Sequence, residues 1–203
     1  MGGLFRMAHA FIRLDRLDFA QHIAATSIEA LQPLAAGKEA QPEVLSLLGS
    51  MHVVLATVAA RDNDRLSAHT HVAAARTLAE RVGHDPDDLG TEFGPTNVEL
   101  HAITVAVDLG DAGEALATGQ TLDVSQLSPE RQARFHLDLA RAHTQRRQVG
   151  DALDQLLTAE QHSAEQVRNH ELTRETIRDL LGLSGRRPPD KLTQLAKRSG
   201  AIP

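Results

Sequence analysis

Residues Gly94 to Glu165 read GPTNVELHAITVAVDLGDAGEALATGQTLDVSQLSPERQARFHLDLARAHTQRRQVGDALDQLLTAEQHSAE. The stretch holds two consecutive helix–turn–helix units with compact apolar residues in matching places. In the second unit Ala140, Ala152 and Ala159 are spaced by twelve and then seven residues; in the first, Ile103, Ala115 and Leu122 repeat that spacing. A small side chain at such points lets one helix lie close against the next. Helix pairs can then stack and bury a continuous core that no single pair buries alone.

Toward the N-terminus the same spacing returns twice. Leu4 to Leu17 carries Leu4, Met7, Ala8, Phe11, Ile12 and Leu14 near a helical period. A second helix from about Asp18 to Ala36 completes the triad Ala8, Ala20, Ser27. A helix from about Pro42 to Ala60 and a partner ending near Val82 give Ala56, Ala68 and Ala75, separated by the polar break Arg61 to Asp64. The leading positions of the four triads are 48, 47 and 37 residues apart, against about 34 for a tetratricopeptide (TPR) repeat. Extra helical turns in the first two units account for the excess. The expected fold is an all-α, TPR-like superhelix of about four helical hairpins plus C-terminal capping helices. Its packing residues are Ala8, Ala20, Ala56, Ala68, Ala75, Ala115, Ala140, Ala152 and Ala159. Residues 1–182 read as the repeat domain and 183–203 as a linker and capping helix.

Local signals set the expected element ends. Gly37 suits a helix stop and Pro42 a first helical turn. Thr96 and Glu99 have the spacing of a capping box, as do Ser163 and Gln166, and Ser128-Pro129 opens a helix. The loop from Gly83 to Gly90 is the clearest break. Asp85 and Asp87 give it a superficial calcium-loop look, but Leu89 and Thr96 stand where oxygen ligands are required. A helix from Ala164 to Leu181, interrupted near Asn169, precedes a linker at Gly182 to Pro189. An amphipathic tail helix follows from Asp190 to Ser199. The basic residues of this linker and tail, Arg186, Arg187, Lys191, Lys197 and Arg198, read as the solvated face of a cap, with a nucleic-acid or partner contact as the alternative.

Composition removes several function classes. The 203 residues carry a net charge of −6, no Cys, no Trp or Tyr, and five Phe. Phosphate neutralisation needs clustered Lys and Arg, and base stacking needs aromatic platforms, so direct nucleic-acid binding is not expected. No apolar run in the sequence reads as the roughly 20-residue span of a membrane helix. The N-terminus lacks a charged leader followed by an apolar block. The absence of Cys suits a cytoplasmic setting.

No catalytic constellation is legible. There is no Walker loop, dinucleotide glycine fingerprint or serine elbow, and Gly182-Leu183-Ser184-Gly185 has the wrong spacing. Of the eleven histidines, His69 and His71 are two apart and point to different sides of a helix. His52, His101, His136 and His143 sit on separate stretches, and packing accounts for the shared face of His136 and His143. Asp62 and Asp64 lie in a turn, where capping explains them. Neither a metal, a cofactor nor an enzymatic activity is expected.

The first helix of each hairpin in a TPR stack lines a concave face. Counting from the small residue of each unit, His9, Arg13, Thr57, Arg61, Thr104, Asp108, Arg141 and Gln145 project toward it, with Asn97, Leu100, Arg134 and Leu137 further along. This line is polar and largely basic in an acidic chain, which fits a peptide or a small anionic ligand as well as an ordinary solvated face. Asn97 could bridge a backbone N–H and C=O of an extended peptide, or support the helix start.

The wording of several stretches resembles the C-terminal TPR region of actinobacterial XRE-family regulators. These are Phe93-Gly94-Pro95-Thr96-Asn97-Val98 with His101 and Val105 to Asp111, and Glu165 to His170 with Thr173-Arg174-Glu175 and Asp179-Leu180-Leu181. The opening Met7 to Leu14 is similar to the first repeat of that region. The resemblance implies a ligand- or partner-sensing, homodimerising module belonging to a transcriptional regulator. No segment reads as the DNA-binding helix-turn-helix of that family, so direct DNA binding is not carried over. A fragment of a longer regulator and a stand-alone relative both fit, as does a scaffold joining proteins without a regulatory ligand.

Overall fold

A computed structural model describes residues 2–37, 39–83 and 93–202. Among the described residues the chain is all-α, with eleven helices and no strand. The helices are α1 (Gly2–Arg13), α2 (Leu17–Ala35), α3 (Pro42–Arg61), α4 (Arg65–Val82), α5 (Pro95–Asp108), α6 (Ala112–Thr121), α7 (Pro129–Gln145), α8 (Val149–His162), α9 (Ala164–Asn169), α10 (Glu171–Ser184) and α11 (Asp190–Arg198). They fall into two compact units, Met1–Leu109 and Gly110–Pro203. The division lies inside the third sequence hairpin, so α5 and α6 belong to different units. Of the loop considered above for calcium, residues 84–90 lie outside the described residues.

In the first unit α3 is the central element, packed against α1, α2, α4 and α5. It is buried almost all round, from Leu45 to Ala60, as expected of a helix whose every face is apolar. By length and composition α3 could cross a membrane, which corrects the reading that no such stretch exists. However, 78% of its most apolar window is buried inside the unit. The hydroxyls on its buried faces bond back within the helix: Ser50 Oγ donates to the Ser46 carbonyl at 2.7 Å and Thr57 Oγ1 to the Val53 carbonyl at 3.0 Å. Such back-bonding satisfies a polar group without leaving the core. Gly49 of α3 receives the ring of Phe93, itself 1% exposed; a Cβ at Gly49 would overlap the ring.

The second unit is organised by α7 and α8, with α9 and α10 laid against the pair. Leu156 of α8, Val167 of α9, Ile177 and Leu180 of α10, and Leu192 and Leu195 of α11 are completely buried in one core. The tail helix is thus built into this core. The break expected near Asn169 falls at His170, between α9 and α10.

Every alanine of the packing set lies inside. Ala8, Ala20, Ala68, Ala75, Ala115, Ala140, Ala152 and Ala159 are 0% exposed and Ala56 is 1% exposed. Leu122, by contrast, stands at the C-terminal cap of α6 and is half-buried.

Two element ends differ from expectation. α5 begins at Pro95 with Gly94 as its cap, so Thr96, expected as the cap, stands inside the first turn. Glu99 instead takes both forks of the Arg76 guanidinium, at 2.7 and 2.8 Å, joining α5 to α4. Ser128 precedes Pro129 at the start of α7 but makes no side-chain cap bond. Ser163 Oγ does accept from the Gln166 amide, and Asp64 from the Ser67 amide.

Candidate functional site

The residues expected to line one concave face fall into two sets, one in each unit. In the first unit, His9 and Arg13 stand on α1, Thr57 and Arg61 on α3, and Asn97, Thr104 and Asp108 on α5. The His9 ring meets Phe5 edge-on at 4.5 Å and lies 6.2 Å from the His101 ring, so α1 and α5 approach each other here. Arg13 is exposed. Arg61 has a structural duty: its Nη1 donates to the Ile12 carbonyl at 2.9 Å, and Asp15 lies 3.9 Å away. It is thus a second donor to a carbonyl at the C-terminus of α1 that also accepts from the Asp15 amide at 3.2 Å, and its positive charge meets the negative end of the helix dipole. Thr57 and Thr104 bond back to carbonyls four residues earlier. Asn97 is only 8% exposed, in the first turn of α5, and has interactions of its own within the fold. An amide so placed offers little to an extended peptide.

Capping by arginine recurs. Arg81 of α4 donates to the Ala35 and Gly37 carbonyls after α2, at 3.0 and 2.8 Å. Arg65 reaches the Leu109 carbonyl at the end of α5. In the second unit Arg174 and Arg178 of α10 reach the Ser199 and Ala201 carbonyls behind α11. Of the arginines expected in the ligand groove, Arg61 is the one engaged at a helix end; Arg134 and Arg141 meet Asp138 instead.

The second unit brings the remaining set together. Asp138 on α7 is 4% exposed. Its Oδ2 accepts from Arg134 Nε at 3.4 Å and its Oδ1 from Arg141 Nη1 at 3.3 Å. The three residues occupy successive turns of one face, the spacing at which helix side chains meet. They line a narrow cleft with Leu137 of α7, His170, and Leu172, Thr173 and Thr176 of α10. The free volume is about 10 Å³, room for about one water. Two guanidinium groups against one carboxylate leave the wall of the cleft with a net positive charge. Asp138 was not singled out in the sequence, although its place between two arginines at helical spacing carried the signal.

A wider, open groove of about 470 Å³ runs between α8, α9 and α11, lined by Leu157, Glu160, Gln161, Ala164, Arg168, Lys191, Gln194 and Arg198. Glu160 accepts both forks of Arg198 at 3.0 and 2.7 Å and lies 3.6 Å from Arg168. The Arg198 hydrogen bonds hold its carboxyl below the usual range. This clasp ties the basic tail helix to α8.

Histidines also converge where the sequence gave no expectation of it. His52 Nδ1 of α3 and His71 Nδ1 of α4 are 3.0 Å apart. In the second unit His136 Nδ1 of α7 lies 2.7 Å from Gln155 Oε1 of α8, and its ring stacks on His162 at 5.4 Å. Burial, reinforced by His71, pushes His52 down to about 4. Burial also lowers His71, opposed by Asp64, and lowers His136, opposed by Gln155.

Compared with known proteins, the chain matches no family model and no curated protein. Among solved structures it is similar to BtubC (BKLC) from P. vanneervenii, at a TM-score of 0.66 and 18% identity, over 92% of this chain and 73% of that one. At that identity the likeness speaks for the all-α fold alone.

Proposed function

We propose that this chain is a non-enzymatic, TPR-like binding module that senses a peptide, a protein or a small anionic ligand, as part of a cytoplasmic, homodimeric transcriptional regulator. The observation that carries the binding reading is the Arg134–Asp138–Arg141 arrangement on the wall of the α7–α10 cleft. Asp138 holds both guanidinium planes in place, which lowers the ordering cost when an anionic group arrives. Arginine forks suit carboxylate and phosphate geometry, and the polar Thr173 and Thr176 stand opposite. The cleft has room for about one water, so an anionic group is met at its mouth, on the exposed side of Arg134. The regulatory role draws support from the motifs between Phe93 and Asp111 and between Glu165 and Leu181 that resemble XRE-family sensor regions. An enzymatic role finds less support, because so many of the candidate polar groups are committed to helix caps and ion pairs.

The test is binding of acidic peptides and small carboxylates, followed by the melting temperature of the folded chain. Arg134→Glu is the informative variant, since that side chain is 45% exposed and Arg141 still balances Asp138. An anion-induced rise in melting temperature that disappears in Arg134→Glu supports the reading; an equal rise in both sinks it. A constitutive scaffold, the second reading, gives no small-ligand shift but a stable partner insensitive to Arg134.

A further inference from the structure

The clasp between α8 and the tail helix leaves charge unused. Glu160 accepts from Arg198 Nε and Nη2 at 3.0 and 2.7 Å and lies 3.6 Å from Arg168, so one carboxylate faces two guanidinium groups. Lys191, exposed on the same groove, has no ion pair or hydrogen bond among the described residues. The groove therefore keeps an excess of positive charge after its own ion pairs are made. The surrounding sequence has the same sign. Residues 168–198 hold eight of the 21 Lys and Arg but only four of the 27 Asp and Glu, in a chain of net charge −6.

The groove is walled by helix faces. Lys191, Gln194 and Arg198 stand on successive turns of α11, opposite Leu157 and Gln161 of α8 and Arg168 of α9. From Lys191 to Arg198 the helix rises about 10 Å, the length of about three residues of extended chain. Gln161 and Gln194 are exposed and have no hydrogen-bond partner among the described residues. Their amides both donate and accept, as pairing with a passing main chain requires. We infer that the groove between α8, α9 and α11 is a docking site for an extended acidic peptide segment of a partner protein, with carboxylates meeting Lys191 and Arg198 and an apolar side chain against Leu157.

The layout favours a peptide over a small anion. The cations are spread along two turns of α11, with Gln194 on the turn between them, and do not converge on one point. The volume of about 470 Å³ is far more than one phosphate or carboxylate fills. Glu160 also fixes the Arg198 plane through Nε and Nη2, which leaves the Nη1 donors for a ligand and lowers the ordering cost of binding. The inference rests on the reading of the chain as a binding module, but the groove shares no residue with the α7–α10 cleft.

The probe is a fluorescein-labelled, amidated hexapeptide of alternating glutamate and leucine, titrated with the full chain by fluorescence anisotropy. Binding should saturate, and should weaken about tenfold or more in Lys191→Glu and for the peptide with glutamine in place of glutamate. Lys191→Glu should keep the melting temperature of the unmodified chain, since Lys191 has no partner to lose. Arg134→Glu should bind the peptide as the unmodified chain does. The anion-induced melting shift at Arg134 is a separate readout, so either site can fail alone. The proposal is overturned if binding does not saturate, if Lys191→Glu binds equally well, or if Arg134→Glu abolishes binding and so moves the peptide to the α7–α10 cleft. Inorganic tripolyphosphate that binds as tightly as the peptide and displaces it would also overturn it, because the groove would then answer to charge alone.

Discussion

His52 Nδ1 lies 3.0 Å from His71 Nδ1, nineteen residues on in the chain, and His136 meets Gln155 across the same nineteen-residue interval. Each of the four stands four residues before a completely or almost completely buried alanine: Ala56, Ala75, Ala140 and Ala159. One turn below each small contact, therefore, a polar side chain from the first helix reaches its counterpart on the second. The two hairpins correspond in their polar contact as well as in their apolar packing.

That pair makes the first unit sensitive to mild acid. His52 in the folded chain is held down to about 4, against an ordinary 6.5, by burial and by His71; Asp64 is the charged group that acts on His71 in the opposite sense. Since the folded value is the lower one, the unfolded chain binds the proton first. Stability is full above about pH 6.5, falls as pH drops toward 4, and loses nothing further from this group below that. After allowance for solvent screening of a half-buried ring, the loss is about 2 kcal/mol. Urea melts of the unmodified chain and of His52→Gln between pH 7.5 and 4.5 should converge at the acid end. Parallel curves would remove His52 as the cause.

Gly49 is the tightest point of the first core. The Phe93 ring lies where a Cβ on Gly49 would stand, and Phe93 is fixed on the far side by the unit's core. Gly49→Ala should cost about 1–3 kcal/mol by overpacking, even though alanine is the better helix former. The double variant Gly49→Ala/Phe93→Leu should recover part of that loss in a chemical-denaturation cycle, because the two residues share one space.

The hairpins were legible because their signal is local and repeated: an alanine every twelve and seven residues can be checked against helical period without knowing the fold. The division between Leu109 and Gly110 was not, since Asp108-Leu109-Gly110-Asp111 reads like any turn between two helices of a hairpin. The partners of the arginines were not legible, for a related reason. Arg61 and Arg141 project from first helices as expected, but the carbonyl of Ile12 and the carboxylate of Asp138 that engage them are fixed by tertiary approach or by a residue passed over. The His52–His71 pair was within reach, because counting back four from Ala56 and from Ala75 places both rings at one level.

Ala140 and Ala152 bring α7 and α8 together at 0% exposure. Replacing either with leucine inserts three carbons into a space with no room for them, and the expected loss is about 1–3 kcal/mol. Ala117, exposed on α6, is the control; leucine there should change stability by no more than about 0.5 kcal/mol. Guanidinium midpoints would separate the two outcomes, and equal midpoints for Ala152→Leu and Ala117→Leu would contradict the packing.

Arg61 separates a capping role from a ligand-binding one. Its guanidinium donates to the Ile12 carbonyl from a side chain one-third exposed. Removing it leaves the Ile12 carbonyl with the Asp15 amide and water as partners and takes a positive charge from the negative end of α1. Arg61→Ala should therefore cost about 0.5–1 kcal/mol, and Arg61→Lys, which keeps the charge but not the fork, should cost less. Hydrogen exchange should localise the effect, with faster exchange in the last turn of α1 around Ile12 and little change in α7 to α11. Were Arg61 a ligand contact instead, the unliganded chain would show no change at α1 and the difference would emerge only with an anion present.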